Sequence, residues 1–149
     1  MIPLWLQIVL GVSAPAIAFF GAYISYKQWQ LGQYKLKHDL FERRWLIYAA
    51  AHDAIATSIN GSSSERLDAF KNLKVKILGA KFLFPVDVFD YLNELADQIY
   101  KLKIIESSLN KAAEDRSEIE KRHGDLYRWL ESQPTLLAEK LSPYLGLTI

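Results

Sequence analysis

The hydrophobic pattern of this chain has two parts: an uncharged run at the N-terminus and helical periodicity beyond it. Residues 2–26 include no Asp, Glu, Lys, Arg or His. From Leu36 to Ile59, apolar side chains recur every three or four residues, which is the spacing of one face of an α-helix. No stretch alternates convincingly between apolar and polar residues, so the pattern predicts an all-α protein.

The uncharged run is long enough to cross a bilayer. About 20 apolar residues span the hydrocarbon core of a membrane, and the run covers residues 2–26. Trp5 near one end, and Tyr23 and Tyr26 near the other, stand where aromatic rings favour the membrane interface. We therefore expect a transmembrane helix at residues 2–26. A cleaved signal peptide, cut near the small residues 16–18, is the alternative, but it requires basic residues before the run.

Basic residues lie on one side of the run only. None precedes it, and the residues that follow closely include Lys27, Lys35, Lys37, Arg43 and Arg44. Lys and Arg next to a membrane helix stay on the cytoplasmic side. The expected topology is therefore single-pass, with the N-terminus outside and residues 27–149 in the cytoplasm.

Turn and cap signals divide the rest of the chain into helices. The first should end at Asn60, because Asn60-Gly61 is followed by three serines. Ser62 and Glu65 have the spacing of a capping box for the next helix, which we expect to end at Gly79. Pro85 suits the first turn of a third helix.

The C-terminal third is predicted to be more broken. The pattern turns highly charged from Lys111 to His123, so the third helix is expected either to extend into solvent or to break near residues 107–110. Gly124 and Pro134 then favour two short helices, with Pro134 restarting the second. These elements predict an antiparallel helical bundle at residues 27–149, since helices joined by short loops pack against one another.

A stripe of small residues runs along the predicted membrane helix. Its members follow one another at intervals of three or four residues: Gly11, Ala14, Ala18, Gly21, Ser25 and Gln28. Small side chains let membrane helices approach closely, and an amide in lipid favours a partner. The stripe predicts a homo-oligomer with a dry interface rather than a wet pore; the alternative is that small residues are simply common in membrane helices.

Composition excludes several functional classes. The net charge of +1 gives no global field for nucleic acid, so we expect no nucleic-acid partner. Without cysteine, disulfides and thiolate metal sites are impossible. The three histidines are widely spaced and no glycine-rich phosphate loop occurs, so we expect neither a metal nor another cofactor.

Three charged groups are candidate sites. Asp39 and Arg43 stand one helical turn apart and could pair, and a buried Arg43 or Arg44 could hold the first helix against a neighbour. Four lysines without an intervening acid form a basic run suited to an anionic ligand or lipid head groups: Lys71, Lys74, Lys76 and Lys81. For both groups, a solvated helix face is the alternative.

A weak catalytic pattern lies in the charged stretch. Arg116 and His123 are separated by six residues, a spacing that matches the loose Arg-x(4–6)-His pattern of HEPN-type ribonucleases. In such a site the arginine would steady phosphate charge and the histidine would move a proton. Ordinary charged helices supply the same spacing, so an enzyme is the less favoured reading.

Three segments carry a family resemblance: Lys37-x-Asp39-Leu40-Phe41-x-x-Arg44, residues 80–84 (Ala-Lys-Phe-Leu-Phe) and residues 143–145 (Pro-Tyr-Leu). With them the chain resembles a broad group of small bacterial proteins in which a membrane helix precedes a helical domain. The resemblance covers most of the chain and implies a bacterial or phage source and the bacterial inner membrane, but no established activity.

By its architecture, and by Arg116 with His123, the chain also loosely resembles the membrane accessory protein of type VI-B CRISPR systems. That resemblance implies an oligomer that perturbs membranes in antiviral defence. Together these observations predict a membrane-anchored helical protein that assembles with itself or with a cytosolic partner. The alternatives are a HEPN-like ribonuclease and a sensor of anionic ligands.

Overall fold

The computed structural model describes residues 3–109 and 116–146, without the side chains of residues 4–14, 16 and 109. Its elements are α1 (Leu4–Asn60), α2 (Ser63–Leu83), α3 (Val86–Leu109), α4 (Arg116–Leu141) and a 3-10 turn at Ser142–Tyr144. No strand occurs in the part of the chain that is described. The predicted all-α class is therefore confirmed.

The chain divides into two compact units, Met1–Asp39 and Leu40–Ile149. The first, here called the N-terminal unit, is described as a single stretch of helix. The second, the bundle unit, holds the rest of α1 and all later elements. Among the described residues, no helix combines the length and the apolarity needed to cross a bilayer.

Side-chain bonds show how the helices of the bundle unit run. Lys74 in α2 pairs with Asp97 in α3, and Arg66 near the start of α2 pairs with Glu106 near the end of α3. Early residues of one helix thus face late residues of the next, the arrangement of antiparallel neighbours. Tyr127, midway along α4, donates to the carbonyl of Ile59 near the end of α1, while Arg44, earlier in α1, donates to the carbonyl of Tyr144 after the end of α4. The bundle unit is therefore an antiparallel bundle.

Each helix of the bundle unit contributes one buried stripe to a common core. The apolar residues with no measurable exposure are Ala51, Ala54, Ile55, Leu73, Ala80, Leu92, Leu95, Ala96, Leu130, Leu137 and Leu141. Within each helix they are adjacent or lie one or two turns apart, which places them on one face. Burying such a face is the main source of stability for a helix in water, so the periodicity seen in the sequence builds the fold directly.

The start of α2 is confirmed and its predicted end is wrong. Ser62 accepts a bond from the Glu65 amide, and the Glu65 carboxylate accepts one from the Ser62 amide, which completes the predicted capping box. The helix continues through Gly79 to Leu83, because Ile77 and Ala80 keep the buried stripe in register on both sides of the glycine. A single internal glycine costs only about 1 kcal/mol relative to alanine.

Gly124 and Pro134 do not interrupt α4, which is one helix from Arg116 to Leu141. The prediction of two short helices is therefore wrong. Leu130, Gln133 and Leu137 form one continuous buried stripe across the proline. Proline inside a helix costs roughly 3 kcal/mol, and burial of two leucines offsets a loss of that size.

Candidate functional site

The described side chains of the N-terminal unit include an exposed apolar surface. Phe19 is 81% exposed, and Ile17, Phe20 and Ile24 are exposed as well. The single helix of this unit offers no second element to cover them. Such a continuous apolar surface is unusual on a monomeric soluble protein and indicates contact with a partner or a membrane.

The described members of the small-residue stripe are also exposed, namely Ala18, Gly21, Ser25 and Gln28. A Cβ built on Gly21 meets nothing within 4 Å, so the space beside this glycine is open. The Ser25 hydroxyl donates to the Gly21 carbonyl at 2.9 Å, so this hydroxyl has its hydrogen-bond partner within the helix. The side chains of Gly11 and Ala14 lie outside the described part.

Aromatic and basic side chains follow the apolar surface. Tyr23, Tyr26, Trp29 and Tyr34 are all more than half exposed, and the Lys27 ammonium lies 5.9 Å from the centre of the Tyr23 ring. Exposed aromatic rings mixed with lysines are typical of a membrane interface. Sequence reasoning named Tyr23 and Tyr26 but missed Trp29 and Tyr34, because they lie beyond the uncharged run.

Arg44 is a charged side chain that contacts two distant segments of the bundle unit. Its Nε donates to the Leu83 carbonyl at 3.1 Å, and one terminal nitrogen donates to the Tyr144 carbonyl at 2.9 Å. The guanidinium also lies 5.9 Å from the centre of the Phe84 ring. Leu83 ends α2, where carbonyls have no partner within the helix, so Arg44 caps that end and holds the C-terminal turn beside it.

The segments that carry the family resemblance therefore meet at Arg44. Phe84 and Tyr144 complete the contact, edge to face, with ring centres 5.9 Å apart. Asp39 and Arg43, the other members of the predicted juxtamembrane group, are exposed. The structure thus gives the three segments one shared packing role and shows no reacting group among these contacts.

The four lysines of the basic run differ in their surroundings. Lys74 bonds to Asp97 at 2.9 Å, and Lys71 lies 3.9 Å from Asp68. Lys76 and Lys81 take part in no ion pair among the described residues. Lys71 and Lys81 are exposed, so positive charge remains available along α2.

Arg116 and His123 have separate partners. Arg116 is exposed and donates to Glu120 at 2.9 Å. His123 is half-buried, with its Nε2 3.6 Å from the carboxylate of Glu106, which also pairs with Arg66. Each residue is thus accounted for by contacts within the bundle, and the ribonuclease reading stays a prediction.

A cleft of about 780 Å³ lies between the end of α1 and the start of α2. Its lining includes Asp53, Asn60, Glu65 and Asp68, and the three carboxylates are exposed. The Glu65 carboxylate accepts bonds from Ser62, which lowers the pKa of Glu65. These carboxylates are exposed to water, unlike the desolvated acids that serve as proton donors in active sites.

Tyr91 and Gln133 form a buried polar pair that sequence reasoning missed. The Tyr91 hydroxyl donates to Gln133 Oε1 at 3.1 Å, and the Gln133 amide donates to the Trp129 carbonyl at 3.0 Å. Burial, with a smaller effect from Glu94, raises the pKa of Tyr91 to about 12. Both residues fall on buried helix positions, and that register was the only available signal. The pair joins α3 to α4.

Comparisons of the chain with protein-family models, curated proteins and solved structures find no match in any of the three. What can be inferred about function therefore comes from the side chains themselves.

Proposed function

We propose that this protein is a membrane-anchored helical protein that assembles with itself through its N-terminal helix in the bacterial inner membrane. The observation that carries the proposal is the apolar surface of the N-terminal unit, where Ile17, Phe19, Phe20 and Ile24 are exposed. Full burial of one such side chain contributes roughly 1.5–3 kcal/mol. Several exposed together favour transfer out of water.

A bilayer suits this surface better than a soluble partner does. Residues 2–26 carry no charged side chain, which is the main requirement for lying in hydrocarbon. The exposed Tyr26 and Trp29, with Lys27 between them, then reach the head groups. The basic residues after the run place the bundle unit in the cytoplasm.

Self-assembly follows from the small-residue stripe. In lipid, helices associate where small side chains allow their backbones to approach. The open space beside Gly21 and the exposed Ala18 and Ser25 suit a second copy of the same helix. One concrete form of such an oligomer is a membrane effector in antiviral defence, which the likeness to the type VI-B accessory protein supports.

The test is the oligomeric mass of the full chain in mild detergent or nanodiscs, for the wild type and for Gly21→Leu. Leucine favours helix more than glycine does, and a Cβ at position 21 meets nothing within its own chain. The variant should therefore fold normally and lose its oligomers, because its larger side chain separates the helices.

A matched control is Phe19→Leu, which changes an exposed apolar residue on another face of the same helix. It should keep the wild-type mass. If Gly21→Leu also keeps that mass, the stripe is not the interface. If the wild-type protein is a monomer, it would instead be a membrane-tethered domain that binds a cytosolic partner. If alkaline carbonate extracts the protein from membranes, the membrane anchor is contradicted.

A further inference from the structure

The helix α2 is apolar on two opposite faces. Leu73, Ile77 and Ala80 are buried in the core. The positions between them place Val75, Leu78 and Phe82 on the other side, and these side chains are 66%, 74% and 84% exposed. A helix that only covers a core in water carries polar residues on its outer face, so this helix has a second apolar surface to account for.

Among the described side chains of the bundle unit, this outer face is the most exposed apolar surface. Val75, Leu78, Phe82 and Val86 exceed 65% exposure, whereas the other exposed large apolar side chains of the unit lie between 39% and 48%. Val86 begins α3, directly after the turn that follows α2. The exposure is thus concentrated on one stripe and its continuation.

Lysines flank the stripe, and Asp68 lies 3.9 Å from the first of them, Lys71. No Asp or Glu occurs between Asp68 and Asp87, and that interval holds four lysines. Lys71 lies within the stripe, one turn before Val75, and Lys81 stands one turn after Leu78; both lysines are exposed. Apolar side chains flanked by lysines are characteristic of helices that lie in the interface of an anionic membrane.

We propose that the outer face of α2 docks onto the anionic surface of the bilayer, with Leu78 and Phe82 in the head-group region and the lysines on lipid phosphates. The proposal rests on the proposed function, since the membrane anchor brings the bundle unit to a bilayer. An interfacial helix buries its apolar face about 5–10 Å into the boundary between head groups and acyl chains. Lysine stems follow the apolar surface while their ammonium groups stay in water.

The charge of this surface favours an anionic bilayer over two other candidate partners, a second copy of the chain and a soluble anion. A second copy packed on this stripe would bring the exposed Lys71 and Lys81 of both chains together, and like charges repel. A soluble anion would neutralise the lysines but leave Val75, Leu78 and Phe82 in water. An anionic bilayer satisfies the apolar and the basic side chains together.

The absence of cysteine permits single-cysteine labelling of the full chain. Leu78→Cys and Phe82→Cys, each carrying an environment-sensitive dye, would be reconstituted into phosphatidylcholine vesicles with and without phosphatidylglycerol. Nitroxide-labelled lipid of shallow depth serves as the quencher. We expect blue-shifted, strongly quenched emission in anionic vesicles and much weaker quenching without the anionic lipid. The control is Glu131→Cys, at an exposed position on α4, where the dye should remain unquenched.

Charge reversal provides the second arm. Lys71→Glu with Lys81→Glu should greatly reduce the quenching at position 78, because the electrostatic attraction to phosphatidylglycerol becomes repulsion. Lys121→Glu, an exposed change on α4, should leave it unchanged. Added salt should weaken the wild-type signal, since exposed charges are screened.

Three results would overturn the docking proposal: equal quenching at positions 78 and 131, quenching that does not depend on phosphatidylglycerol, or pyrene excimers from Leu78→Cys in both vesicle types. The last would identify a second copy as the occupant. Carbonate extraction and oligomeric mass, measured on the same vesicles, test the proposed function separately. Protein that stays inserted and oligomeric with an unquenched dye would refute only the docking surface.

Discussion

The two units use apolar side chains in opposite ways. In the bundle unit, Leu73, Leu92 and Leu130 are completely buried, because each faces side chains of other helices. In the N-terminal unit, Phe19 and Phe20 are exposed along a single helix. A residue's apolar character therefore does not say whether it serves an internal core or an external surface. The presence of a second helix in the same unit decides this.

The same contrast recurs within one helix. Along α2, Leu73 has no exposed surface while Leu78, five residues later, is 74% exposed. Position on the helix circumference separates the two, since a step of five residues turns by about 140°. The contrast between a core face and a contact face is thus set locally, and variants can probe it.

The largest expected effect comes from Leu73→Ala. Removing a fully buried leucine loses its transfer free energy and leaves a cavity, which together cost roughly 2–5 kcal/mol. Denaturant unfolding of the full chain in mild detergent, followed by tryptophan fluorescence, measures the change. Leu78→Ala is the matched variant on the outer face and should stay within about 0.5 kcal/mol of wild type. Equal losses for the two variants would break the distinction between the faces.

Arg44→Met should lower the free energy of unfolding by roughly 2–3 kcal/mol, because hydrogen bonds to a charged donor are lost at two carbonyls. The same unfolding assay applies. Its neighbour Arg43 is exposed, so Arg43→Met should have little effect. A large loss from Arg43→Met and none from Arg44→Met would mean that the contacts to Leu83 and Tyr144 do not stabilise the bundle.

Alkaline pH should destabilise the fold through ionisation of Tyr91. The folded state raises the pKa of Tyr91 to about 12, while an unfolded tyrosine ionises near 10. The stabilisation that the neutral Tyr91 phenol gives to the folded state is therefore complete below pH 10. It is lost as the pH rises toward 12, which lowers the free energy of unfolding by roughly 2 kcal/mol. The measurement is the unfolding free energy of wild type and Tyr91→Phe between pH 8 and about 12. Parallel pH profiles would show that burial does not hold the phenol neutral.

The smallest effect is expected at the start of α2. Ser62→Ala removes the side-chain cap and should destabilise the bundle by about 1 kcal/mol. Ser63→Ala, one residue into the helix, retains the cap and should be nearly neutral. If Ser63→Ala were the more damaging change, the capping box would not be what begins this helix.

Local signals predicted the boundaries that local chemistry controls. The end of α1 at Asn60 and the cap at Ser62 were readable because the bonds involved lie within a few residues. Gly79, Gly124 and Pro134 were misleading for the opposite reason. Each weakens a helix locally. The buried stripes of α2 and α4 continue past Gly79 and Pro134, and tertiary packing outweighs such local preferences.

The candidate sites divide in the same manner. The small-residue stripe and the basic run were visible as patterns in the chain, whereas the partners of Arg44, His123 and Tyr91 were not. Arg44 bonds to a residue 100 positions away, and Tyr91 to one 42 positions away. Periodicity reports which face a residue occupies, but it carries no information about which distant face lies opposite.

The amino-acid order alone was enough to indicate an all-α chain, its uncharged N-terminal run and the stripe that each helix buries. These properties depend on side-chain type and on a repeat of three or four residues, both local. Tertiary structure decided that α4 runs unbroken through its proline, that Arg44 caps a different helix, and that α2 presents a second apolar face to the outside. Those outcomes depend on which helices meet, and that depends on the packing of the whole bundle.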